Sequence, residues 1–114
     1  MEEKRKLRRR YLLAGVKVRH SDSQAWIDAV ILNINRGGIG LYATEPLRNH
    51  GKVSVMITCM DGENPVETEQ VPGVVRWVQS VGARFGAGIM FATKVNSRTF
   101  PILSRCLEYA RRNK

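Results

Sequence analysis

The chain is short of the residues that small proteins use to hold metals or staple themselves together. Cys59 and Cys106 are its only cysteines, far apart and without a second Cys or His at ligand spacing, so neither a zinc module nor a disulfide framework is read. Each falls in an apolar segment, as expected of buried, reduced thiols in a cytoplasmic protein. Long hydrophobic runs are missing as well. Nothing is long enough to cross a bilayer, and no stretch of signal-peptide character follows the basic start, so neither membrane insertion nor secretion by that route is expected. Catalytic apparatus is thin. His20 and His50 lie in separate loops without the pattern of a triad or metal cluster, and both are expected to be solvated. Asp28 stands alone in an apolar strand, while Glu67 and Glu69 share a strand face expected to be solvated barrel exterior. With no phosphate loop or dinucleotide fingerprint either, no enzyme and no cofactor is expected. Acidic residues are scarce too: 10 against 19 Lys and Arg, for a net charge of +9 and a pI near 10.3. Anionic partners are therefore attracted at long range, whether nucleotide, nucleic acid or an acidic protein face.

What is present reads as one domain. A chain of 114 residues with 43% hydrophobic content can fill a single core but not two. Alternation of apolar and polar residues marks a first strand over Leu13–Val18, a second over Ala25–Ile34 and a third through Ile39, Leu41 and Tyr42. Val53, Val55, Ile57 and Cys59 give a fourth. Val66–Val78 reads as a fifth, interrupted at Pro72-Gly73, and Ala83–Ala92 as a sixth, with Phe85, Ala87, Ile89 and Phe91 on one side. Gly86 and Gly88 fall on the other side, which invites close packing of another backbone. The period then changes. Asn96 or Ser97 can cap a helix whose first turn holds Pro101, with Leu103, Cys106, Leu107 and Ala110 on one face. Antiparallel strands without interleaved helices argue for a closed barrel with a terminal amphipathic helix packed on an open end. The expected division is a basic arm over 1–12, a barrel over 13–95 and a helix over 96–114.

Two features carry the functional reading. Lys4-Arg5-Lys6-Leu7-Arg8-Arg9-Arg10 cannot fold alone, because like charges repel and almost nothing in it can be buried, so it suits a flexible arm that closes over an anion. Asn33-Ile34-Asn35-Arg36-Gly37-Gly38 is a turn whose amides and bare backbone can meet a ligand closely. The order of an Arg-x-x-x-Arg, met by Arg5 and Arg9, and a later (Asp/Asn)-x-Ser-x-x-Gly resembles the PilZ domain family. Asn33 and Gly38 match the second motif, and Asn35 stands at its serine. Gly73-Val74-Val75-Arg76-Trp77-Val78 and Gly88-Ile89-Met90-Phe91 are similar to that family's last two strands.

The resemblance implies a six-stranded antiparallel barrel of bacterial origin that binds the second messenger cyclic di-GMP, with a role in motility, biofilm or related regulation. Arg5 and Arg9 would then clamp guanine and phosphate, which a guanidinium fork grips with paired hydrogen bonds. Asn33 and Asn35 would bond a guanine edge, and Gly38 would let the backbone approach. Arg8, Arg10, Arg36 and Gly37 are further participants the spacing allows. The expected protein is a receptor or adaptor acting on an unidentified effector protein, as a monomer or weak dimer. Two alternatives stand beside it: an adaptor of the same fold that has lost nucleotide binding, and a small basic RNA- or DNA-binding barrel. Against the last, Trp26, Trp77, Phe85 and Phe91 all fall in core-like strands, leaving no exposed platform for bases.

Overall fold

A computed structural model describes residues 11–112. Its strands are β1 (Tyr11–His20), β2 (Ile27–Asn35), β3 (Gly38–Ala43), β4 (Lys52–Asp61), β5 (Asn64–Glu67), β6 (Val71–Val81) and β7 (Arg84–Phe91), followed by helix α1 (Pro101–Arg112). All pairings are antiparallel, in the order β1-β2-β3-β7-β6-β4, and a β1–β4 pairing closes six of the strands into a barrel. Closure leaves those strands few bare edges. The short β5 adds to the flank of β4.

The inside is built by the period of two. Val16, Val18, Leu41, Val53, Val55, Ile57, Cys59, Val75, Ala87 and Ile89 point inward and are buried, and each Val, Leu or Ile among them contributes about 1.5–3 kcal/mol by leaving water. Leu103, Cys106 and Leu107 from α1 complete the same core. Cys59 and Cys106 are free, buried and side by side. Their mutual hydrogen bond, together with burial, pushes the Cys59 thiol far above its ordinary range and keeps it protonated.

Several expected boundaries move, each for a local reason. The first strand starts at Tyr11, inside the segment assigned to the arm, because β1 pairs with β4 as far as Tyr11↔Asp61. The interruption expected at Pro72-Gly73 falls at Thr68–Gln70 instead, and Pro72 and Gly73 stay in register with Ser54 and Val53. At the break, the Thr68 hydroxyl accepts the Ile57 N–H at 3.1 Å. The next residue, Glu69, turns to the helix rather than to solvent: its two carboxylate oxygens accept the N–H groups of Ile102 at 2.7 Å and Leu103 at 3.1 Å. These are donors that a helix start leaves without intrahelical partners. Asn96, expected as the cap, instead closes a separate turn by accepting the N–H groups of Arg98 and Thr99.

Candidate functional site

Strands β3 and β7 lie side by side, with Gly38↔Met90, Gly40↔Gly88 and Tyr42↔Gly86 facing outward. Four glycines therefore add no side chains to a patch of the barrel's outer wall, and neighbouring side chains lie over Gly40 and Gly88. The residues flanking it are delivered by two β-bulges. In β2 the register jumps from Ile31↔Leu41 to Asn33↔Gly40, so Leu32 is the extra residue. In β6 it jumps from Val75↔Ile89 to Trp77↔Gly88, so Arg76 is the extra residue. One inserted residue reverses which face the next side chain takes. Strict alternation would send Asn33 and Trp77 inward after Ile31 and Val75; the bulges send both outward, into one row: Asn33, Gly40, Gly88, Trp77.

Two of the glycines, Gly38 and Gly88, are required by their neighbours. A Cβ on Gly88 would collide with the Trp77 indole, and one on Gly40 would meet the Asn33 amide oxygen at 2.9 Å. A Cβ on Gly38 would come 2.5 Å from the carbonyl oxygen of Ile89, so glycine at 38 serves the neighbouring strand whatever the site holds. What covers Gly88 is thus a side chain, where close packing of a backbone was expected.

Together these groups line an open depression of about 410 Å³ that includes Asn33, Asn35, Gly37, Gly38, Arg76 and Trp77. Asn35 also builds its own turn. Its side-chain oxygen accepts the N–H of Gly37 at 2.7 Å and of Gly38 at 3.0 Å. Both partners are donors, which fixes the orientation of the amide and leaves its NH₂ as the group to offer a ligand. A serine hydroxyl could accept from the same N–H groups, so an amide here keeps the turn chemistry of the motif.

The depression therefore gathers Asn33, Asn35, Gly37 and Gly38 of the sequence-based site. Arg36 turns elsewhere: its guanidinium donates to the Val95 carbonyl at 3.0 Å and the Ser104 hydroxyl at 2.8 Å. Arg5, Arg8, Arg9 and Arg10 lie outside the described residues. Sequence reasoning missed Trp77 and Arg76. Trp77, taken as core-like, is 45% exposed, so the barrel does carry an exposed aromatic face of the kind a base stacks on. Phe85 and Trp26 are half-buried and Phe91 is buried; Arg19 stacks over Trp26, 5.0 Å from the ring centre. The exposed Arg76 guanidinium reaches the Met90 sulfur at 3.6 Å, placing a cation on the lining of the same depression.

The opposite barrel end carries a different cluster. His20, expected to be solvated, is half-buried, and its Nε2 accepts the Arg48 N–H at 3.2 Å. The Arg48 guanidinium pairs with the Asp22 carboxylate through both its terminal nitrogens. Burial and the Arg48 charge hold the His20 pKa below its ordinary value. Among the described residues no group of three His, Cys, Asp or Glu could hold a metal ion, and no helix is long and apolar enough to cross a membrane.

Comparison with known proteins adds two findings. The family model described as PilZ domain matches residues 3–109. Among solved structures, the Bacillus subtilis inhibitor of motility MotI/DgrA superposes with a TM-score of 0.63 at 15% identity, over 94% of this chain and 52% of that one. The chain thus spans about half the length of that structure, and the likeness is one of fold. No curated protein matches the chain.

Proposed function

The chain belongs to the PilZ domain family, and from that premise we propose that it is a cyclic di-GMP receptor whose basic arm closes on the outer glycine patch of the barrel. The observation that carries this reading is topological. β1 runs antiparallel to β2, through Val16↔Ala29 and Val18↔Ile27, so its start at Tyr11 lies at the barrel end where β2 finishes at Asn35. The segment bearing Arg5 and Arg9 thus joins the barrel at the end that holds the asparagines. Asn33 and the free NH₂ of Asn35 offer hydrogen bonds to a guanine edge, Trp77 offers a stacking face, and Arg76 adds charge to the same depression. Arg5 and Arg9 supply the forks that grip phosphate and the guanine O6 and N7. Folding the arm down couples occupancy to a new surface for a protein partner.

Calorimetric titration with cyclic di-GMP, with GMP as control, tests the proposal. Wild-type protein should bind the dinucleotide selectively, and Arg9→Ala should weaken binding about ten-fold or more, since a bidentate contact is worth roughly 1–3 kcal/mol. Absence of heat from the wild type at high ligand concentration sinks the receptor. It would favour an adaptor of the same fold that binds protein without nucleotide, a reading supported by the exposed Val30, Leu32 and Met90 on the outer face of the patch. The exposed Trp77 also gives the nucleic-acid reading a platform. A gel shift whose affinity falls steeply with salt would support it.

A further inference from the structure

The turn that carries the asparagines is also an anchor of the C-terminal helix. Arg36 and Gly37 are the two residues between β2 and β3. The Arg36 carbonyl accepts the Val95 N–H at 2.9 Å, and the Gly37 carbonyl accepts the Phe91 N–H at 2.9 Å. The Arg36 guanidinium extends the connection, with one nitrogen on both the Val95 carbonyl and the Ser104 hydroxyl and the other 3.8 Å from the Glu108 carboxylate. Ser104 is buried in the helix interface. A two-residue turn therefore holds the end of β7, the connection after it and two positions of α1.

On its other side the same turn faces the depression, through Asn35 and the N–H groups its oxygen holds. So short a turn cannot adjust one side without the other, because Asn35, Arg36 and Gly37 share consecutive peptide planes. The second anchor of α1, Glu69, belongs to the β5–β6 connection and has no part in the depression. Arg36 is thus the described side chain that links the candidate site to the helix. Its planar fork sends two separate nitrogens, one to Val95 and Ser104 and the other toward Glu108, a fixed spacing that the single nitrogen of a lysine cannot reproduce.

We propose that Arg36 is a positioning residue that ties nucleotide occupancy of the turn to the seating of helix α1, making the outer face of that helix the surface that reports the ligand. The proposal rests on the receptor reading above. That outer face carries Ile102, 40% exposed, with the exposed Arg105 and Glu108 nearby, a mixed apolar and charged surface of the kind a protein partner reads. Linkage makes the effect reciprocal: whatever factor the ligand adds to helix seating, seating adds to ligand affinity.

The test pairs hydrogen exchange of the α1 amides at 102–108 with calorimetry, using cyclic di-GMP on the wild type, Ser104→Ala and Arg36→Lys. In the wild type, ligand should slow helix exchange about five-fold or more, the lower end of typical coupling. Ser104→Ala, which alters no group in the depression, should shrink that protection and weaken binding by the same factor. Arg36→Lys should do so more strongly. The coupling is overturned if nucleotide binds but leaves helix exchange unchanged, or if both variants keep wild-type affinity and protection. It is overturned equally if Ser104→Ala loosens the helix in the free protein yet leaves affinity intact, which marks a structural contact alone. If the wild type binds no nucleotide, the receptor reading fails first and the coupling goes with it.

Discussion

The two faces of the β3–β7 pair do opposite work. Inward, Ile39, Leu41, Ala43, Ala87, Ile89 and Phe91 fill the barrel; outward, Gly38, Gly40, Gly86 and Gly88 leave a cleared floor between Tyr42 and Met90. The same hydrogen-bonded ladder thus carries a dense core on one side and a cleared floor on the other. Gly within strands is ordinarily destabilising, with no side chain to pack and more freedom to lose. Here the core behind the floor offsets that cost, and the clearance lets Asn33 and Trp77 lie flat across the wall. On the proposed function, core and binding surface at this strand pair are separated by the thickness of one sheet, so each can be altered here with little effect on the other.

The sharpest way to break that comparison is to cut into the inner face. Leu41→Ala should destabilise the protein by about 2–5 kcal/mol in a denaturant titration, while leaving nucleotide affinity near wild type at temperatures where the variant is folded. A large loss of affinity in the folded variant would show that the faces are not separate. Trp77→Ala probes the other side. Removing a stacking face should weaken cyclic di-GMP binding by about 1–3 kcal/mol, yet move the unfolding midpoint far less than Leu41→Ala does.

Gly88→Ala sharpens the point, because it deletes no contact group. The added methyl evicts the indole, so affinity should fall toward that of Trp77→Ala, with a shift in Trp fluorescence; unchanged emission and affinity would mean that the floor need not be bare. Glu69→Gln tests the closure of the barrel by α1. Its amide keeps one acceptor where the carboxylate offers two to the helix start, and a loss of about 1 kcal/mol is expected on unfolding. The smallest effect belongs to the far end of the barrel. His20 has a folded pKa below the 6.5 of the free side chain, so the unfolded chain takes up the proton first. Stability present above pH 6.5 should therefore decline as pH falls toward the folded value. His20→Gln should flatten that slope, and an unchanged profile would assign it to other groups.

Much of the inner face was legible from sequence, because period two marks it directly in runs such as Val53, Val55, Ile57, Cys59. The Asn33–Gly38 turn was legible for the same local reason: its residue types allow little else. Trp77 was misread because Arg76 is inserted in a bulge that reverses the alternation, and a register jump depends on the partner strand. Glu69 was misread likewise. Its place in a strand break matters only once the start of α1 lies beside it, and the two are separated by some thirty positions of chain.

Local chemistry alone therefore determined the strands, the amphipathic helix, the basic start and the asparagine turn, since each rests on neighbours in the chain. Tertiary structure decided which side chains share a surface: that Asn33 and Trp77 face each other across paired glycines, and that Arg36 leaves the turn for the helix. Those choices belong to pairing register and docking, in which distant segments set each other's orientation, and no periodicity within a single segment encodes them.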